Sequence, residues 1–136
     1  MARILTGESR NATLYTERQL LGDVLIQSSD GDKEAIDYCR KLLIPYDFYD
    51  YQYKDPNNIH ARIYRAMLAC DLSPHQVSVA EKMEKLNILY SGDIAYLIGL
   101  VADNECALKF DEDAQIVKRL SNERSGVKSA VIGVDL

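Results

Sequence analysis

No C-x-x-C pair occurs among the three cysteines, Cys39, Cys70 and Cys106, and their count is odd. Neither a disulfide framework nor a zinc site follows from that spacing, and all three read as small hydrophobes in a reducing compartment. Long apolar runs are missing as well. None approaches the roughly 20 residues that a membrane-spanning helix needs, and the N-terminus carries no apolar signal segment. A cytoplasmic location without membrane attachment follows as the expectation. An excess of positive charge is also lacking, with 16 Lys and Arg against 21 Asp and Glu and a net charge of −5. A free-standing nucleic-acid binder normally carries a basic total or a basic patch, so nucleic acid is expected only as an indirect partner.

The signatures of common catalytic sites are absent from the sequence. No G-x-x-x-x-G-K-[ST] loop is present to cradle a nucleotide phosphate, and neither G-x-S-x-G nor H-E-x-x-H occurs. Asp30-Gly31-Asp32 and Asp111-Glu112-Asp113 lack the glycine and glutamate positions of a calcium loop. They read instead as acids that complement helix N-termini. A metal site would want His60 and His75 with cysteine or carboxylate at ligand spacing; His60 sits among Asn57, Asn58 and Arg62 and His75 in a helix cap, and both read as solvated polar residues. The expectation is a chain with no cofactor, no metal and no catalytic residues.

What is present is helical periodicity. At 136 residues the chain suits one domain, large enough to bury roughly two-thirds of its unfolded surface. Residues 1–13 are polar and irregular, a loose arm. Leu20, Leu21, Val24 and Leu25 then line one face of a helix over 14–28. Asp32 suits the N-cap of a second helix over 33–43, striped by Ala35, Ile36, Cys39, Leu42 and Leu43. Pro45 ends it and restricts Ile44 to extended backbone. A third helix begins near Pro56 and carries Ile59, Ile63, Ala66, Met67 and Cys70 on one face. Two starts compete for the fourth, Ser73 with Gln76 and Ser78 with Glu81. Val79, Ala80, Met83 and Leu86 form its stripe, and Asn87 suits a left-handed C-cap. The fifth shows Ile94, Leu97, Ile98 and Val101 at i, i+3, i+4, i+7, and the sixth, over 111–123, turns Ala114, Val117 and Leu120 inward. The apolar run 130–134 has no partner strand nearby. The fold class is all-α, a domain of about six helices.

One segment is unusually aromatic: Tyr46-Asp47-Phe48-Tyr49-Asp50-Tyr51-Gln52-Tyr53-Lys54. Phe48 and Tyr49 suit a core plug where two helices meet. Tyr46, Tyr51 and Tyr53 suit a protein interface, where tyrosine is favoured. Base stacking is the third reading, with Tyr46, Tyr51 and Tyr53 beside Lys54, Arg62 and Arg65; the aspartates among the rings oppose it.

Five segments in order carry a resemblance. Thr16-Glu17-Arg18-Gln19-Leu20-Leu21-Gly22-Asp23-Val24-Leu25 resembles the opening helix of the N-terminal domain of DnaB-type replicative helicases, A-E-x-x-[VL]-L-G-x-[IL]-L. Pro45-Tyr46-Asp47-Phe48-Tyr49 is similar to that family's P-x-D-F-Y corner, and His60-Ala61-Arg62-Ile63-Tyr64-Arg65-Ala66-Met67 to its H-x-x-I-[FY]-x-A-[IM] helix. Val77-Ser78-Val79-Ala80-Glu81-Lys82-Met83 resembles V-T-[VL]-A-E-x-L, and Gly92-Asp93-Ile94-Ala95-Tyr96-Leu97 resembles G-G-x-A-Y-L. The resemblance spans about residues 14–124, with 125–136 as a tail or the start of a linker. The helicase-binding C-terminal domain of bacterial primases is similar to the same fold.

The resemblance implies a helicase-collar module that self-associates and docks primase or a replicative helicase. The structural core is expected to include Leu21, Gly22, Leu25, Phe48, Tyr49, Ile63, Met67, Ala80 and Leu97. Gly22 inside a helix costs about 1 kcal/mol relative to alanine, which close approach of a second helix would explain. In the family a further long helix follows the sixth and pairs for dimerisation. Here Ser125-Gly126 interrupts, and 127–136 reads as no helix. The expectation is therefore at most a weak homodimer, with Ile116 of the sixth helix as a contact, joined by Leu120 where nothing covers the inward side of that helix.

Overall fold

The computed structural model describes residues 7–49, 59–71, 73–104 and 109–126, with side chains from residue 12 onward. Among them lie six α-helices and no strand: α1 (Gly7–Ser28), α2 (Glu34–Leu42), α3 (Ile59–Ala69), α4 (Gln76–Lys85), α5 (Asp93–Ala102) and α6 (Phe110–Arg124). The all-α expectation holds. The apolar run 130–134 lies outside the described residues.

α1 is the axis of the domain, packing against α6, α5, α2 and α3. It begins at Gly7 rather than near residue 14, so half of the expected loose arm is helical. Residues 8–21 contain neither glycine nor proline, and nothing there stops the helix. The polar character that suggested an arm is partly an interior feature, because Thr13 is buried.

Local chemistry sets the helix ends. Lys33 rather than Asp32 takes the N-cap position of α2, while Asp32 Oδ1, one residue earlier, accepts the Glu34 N–H at 2.8 Å, satisfying one of the free donors of the first turn. Ile44 is extended before Pro45, and Pro45–Asp47 then forms one 3₁₀ turn. The box that opens α4 is neither expected pair. Its members are His75 and Ser78: the Ser78 N–H donates to His75 Nδ1 at 3.4 Å, and the His75 N–H donates to Ser78 Oγ at 2.9 Å. Asn87 closes α4 with φ +62°. Ile88 N–H then reaches Met83 O at 2.9 Å and Asn87 N–H reaches Glu84 O at 3.0 Å, the paired bonds of a left-handed helix terminus.

Leu21, Leu25, Phe48, Ile63, Met67 and Leu97 are all in the core, joined by Ile36, Cys39, Leu43, Tyr64, Val79, Met83, Leu100 and Val117. Each fully buried aliphatic or aromatic side chain contributes about 1.5–3 kcal/mol. Phe48 stacks at 4.9 Å on Tyr64, whose hydroxyl donates to Leu43 O at 2.9 Å. Burial pushes the Cys39 thiol up to about 12, leaving it an unreactive small hydrophobe. Cys106 lies outside the described residues.

Several residues sit otherwise than periodicity placed them. Ala80 and Tyr49 are half-buried, with Val79 and Phe48 taking the interior positions. Leu86 is exposed, because α4 has ended before it. On α5 the inward face is Asp93, Leu97 and Leu100, whereas Ile94 and Ile98 point to solvent. α5 is apolar around most of its circumference, so periodicity alone cannot choose its buried side. The choice is made by α1. A Cβ on Gly22 would lie 2.5 Å from Leu100 O and 2.7 Å from Asn104 Nδ2, so the two helices touch backbone to backbone there.

Candidate functional site

Three of the resemblance segments meet inside the domain through one polar residue each. Glu17 on α1 and His60 on α3 are almost fully buried. Glu17 Oε1 lies 2.8 Å from His60 Nδ1, and His60 Nε2 lies 2.5 Å from the Tyr96 hydroxyl on α5. A carboxylate at Glu17 can only accept, which places an imidazole proton on Nδ1; in the neutral ring Nε2 then accepts from Tyr96. Glu17 Oε2 accepts the Tyr49 N–H at 2.7 Å. Burial raises the Tyr96 hydroxyl above the ordinary tyrosine range, with Arg18 opposing, so it remains a donor. Sequence placed His60 in solvent; it is instead the middle of a buried chain. Its partners come from elements 43 and 36 residues away, which local spacing does not reveal.

A second polar knot fixes the aromatic corner. The buried Asp47 carboxylate accepts the Ile44 N–H at 2.7 Å and the Ser121 hydroxyl at 2.8 Å, and pairs with Lys118 at 3.3 Å. Arg124 donates to Asp47 O at 2.8 Å and lies 5.3 Å from the Tyr49 ring. Tyr49 is therefore a clamp between the corner and α6. Tyr46 is exposed at the surface of the same corner. Tyr51, Tyr53 and Lys54 lie outside the described residues. Ile116 and Leu120 on α6 are half-buried, on a helix that packs chiefly against α1 and α2.

Arg62 is not available to a nucleic acid. It pairs with the buried Asp93, donates to Ile88 O at 3.0 Å and lies 4.3 Å from the Tyr90 ring. Asp93 Oδ2 also accepts the Tyr90 N–H at 2.7 Å. This knot braces the link between α4 and α5. Arg65 is exposed, leaving one of the three suggested basic contacts at the described surface. At the opposite end of α5, Asn104 donates to Asp23 Oδ1 at 3.1 Å, and Arg18 pairs with Asp103 at 2.7 Å. Desolvation holds Asp23 above the usual carboxylate range, and desolvation with the nearby Asp23 charge pushes Asp113 up to about 6.

The outer surface of α4 and α5 carries the feature that periodicity missed. Val77 is 61% exposed, Ile94 54% and Ile98 57%. With Ala80, Leu89 and Leu97 beneath them, they line a groove of about 450 Å³. The available signal was α5 itself, whose run Ile94-Ala95-Tyr96-Leu97-Ile98-Gly99-Leu100-Val101 offers more apolar surface than one buried face uses. A second cleft, of about 550 Å³, runs between the α1–α2 turn and α4, with the charged residues Lys33, Lys82, Lys85, Asp71 and Glu81 in its walls. Among the described residues no three metal-binding side chains converge, and no helix is long and apolar enough to cross a membrane.

Comparison with known proteins agrees with the geometry. Residues 9–119 match the family model described as "DnaB-like helicase N terminal domain". That span holds all five resemblance segments, including the Glu17, His60 and Tyr96 chain. No curated protein and no solved structure matches the chain. With most of its length covered by that match, the chain belongs to the DnaB-like helicase N-terminal domain family.

Proposed function

We propose that this chain is a non-catalytic protein-interaction domain of the DNA-replication machinery, working in the cytoplasm, that docks primase or a replicative helicase. One observation carries the reading: the buried polar residues of the family segments are spent on holding helices together, while apolar side chains stand in solvent between α4 and α5. Glu17, His60 and Asp47 are closed inside the fold, where they hold helices and meet no substrate, since chemistry needs polar groups that converge on an accessible cavity. Val77, Ile94 and Ile98 form the kind of surface that association covers. Tyr46, at the corner, is a second candidate contact. Ile116 and Leu120 remain candidates for weak self-association.

The test is calorimetric titration of the purified chain with the primase of its own host and, separately, with the motor ring of the host helicase. Micromolar binding to one of them is expected. Binding to neither at the highest soluble concentrations would overturn the reading.

A further inference from the structure

The groove between α4 and α5 has an apolar floor and one charged lip. Val77 and Ala80 of α4 face Ile94, Leu97 and Ile98 of α5. Glu81 and Glu84 stand along the α4 side, and no lysine, arginine or histidine lines the groove. Both glutamates are exposed, and neither forms an ion pair among the described residues. The α4 end of the groove is fixed by Gln76, whose side chain donates to Leu97 O at 3.0 Å.

We infer that this groove receives an amphipathic helix of a partner protein, apolar on the face that enters and carrying lysine or arginine beside it. The inference deepens the docking reading above and rests on it. Two neighbouring helices leave no unpaired backbone groups for an added strand, so side chains must supply the contact. An apolar trough between two helices suits the i, i+3, i+4, i+7 anchors of a helix. Charge then selects among occupants. A second copy docking by the same face would bring two more carboxylates and no cation to the groove, in a chain already at −5; like charges gathered in this way disfavour pairing. An anionic lipid surface or a nucleic-acid backbone meets the same repulsion. A helix flanked by cations removes it and pairs with the two free carboxylates.

The probe is a designed amphipathic peptide of roughly 18 residues, about five turns, made of leucine and lysine. A control peptide has glutamate for every lysine. Anisotropy of the labelled peptides is followed with the full chain at physiological salt. The lysine peptide is expected to bind and the glutamate peptide not to bind. Ile98→Asp is expected to weaken lysine-peptide binding about tenfold, although it makes the chain more acidic. Glu81→Lys combined with Glu84→Lys is expected to reverse the preference between the peptides. Ile98 is exposed, so its substitution leaves the fold intact, and circular dichroism checks this.

Unchanged or tighter binding by Ile98→Asp would overturn the inference, because attraction to general acidity alone predicts that. Equal binding of both peptides would overturn the charge assignment. A wild-type dimer that Ile98→Asp splits would make a second copy the occupant and overturn it too. Primase or helicase binding that survives Ile98→Asp would remove the groove but leave the docking function standing. Peptide binding without primase or helicase binding would do the reverse.

Discussion

His60 and Tyr96 share a 2.5 Å hydrogen bond in the interior, and through His60 the tyrosine is joined to the buried Glu17. α1, α3 and α5 are thereby tied by one polar chain. His60→Ala would leave Glu17 a partner short, and an unsatisfied buried polar group costs about 1–3 kcal/mol, more when charged. We expect a loss of stability toward the upper end of that range, read from the urea midpoint, with a smaller loss for Tyr96→Phe. Equal midpoints for His60→Ala and wild type would show that the chain contributes nothing.

Gly22→Ala sets two effects against each other. Alanine gains about 1 kcal/mol of helix propensity. Its Cβ would meet the Leu100 carbonyl at 2.5 Å, and a backbone atom of a packed helix cannot swing aside. Overpacking of this kind costs about 1–3 kcal/mol, so a net loss in thermal stability is expected. A gain would mean that α5 can slide along α1.

Phe48→Ala should cost about 3–5 kcal/mol, the usual loss for a buried phenylalanine. Phe48 is fully buried against Tyr64 at the corner. Equilibrium unfolding in urea measures it. A loss below about 1 kcal/mol would place the ring outside the core that the other helices share.

Asp113 gives a pH signature. Its pKa is raised to about 6, first by desolvation and then by the Asp23 charge. A carboxylate whose folded pKa is raised holds its proton more tightly when folded, so its contribution to stability falls as pH rises from about 4 to about 6. Above that window the ionised group is a liability. Asp113→Asn should therefore match wild type near pH 4 and exceed it at pH 7.5, less a small loss of charge at the α6 N-terminus. Other carboxylates move stability the opposite way, so the wild-type-minus-variant difference is the quantity to follow. A difference that does not change with pH would refute the assignment.

Single-stranded DNA should bind weakly. The net charge is −5, and Arg62 is held by Asp93 and the Ile88 carbonyl. Anisotropy at low salt is the most permissive condition, because phosphate contacts are strongest there. Sub-micromolar affinity would contradict a docking module.

Helix ends were legible where their causes are local, as after α2 and α4, and not at the starts of α1 and α4. Asn87 followed an apolar stripe and took the left-handed conformation; Pro45 held Ile44 extended. The existence of all six helices followed from the same short-range spacing. Faces were legible only where a helix has one apolar side. α2 does, and Ala35, Ile36 and Cys39 are inside. α5 does not, and its outward isoleucines were assigned to the core. The placement of His60 depended on Glu17 and Tyr96, which spacing cannot bring together. In this chain the polar interior was the least readable part of the sequence, and the outer groove came second.

The brace at the end of α4 has a consequence for speed. Asn87 stops the helix in a single conformation, and Arg62, Asp93, Ile88 and Tyr90 lock the turn that follows. The spacing and tilt of the two helices are thus set before anything arrives between them. A receptor of that kind loses little motional freedom when it is filled, and its encounter need not wait for a slow rearrangement. Variants that loosen the turn, such as Asp93→Ala, would then act on a distant visitor by slowing its capture, even though Asp93 itself is shut away from the groove.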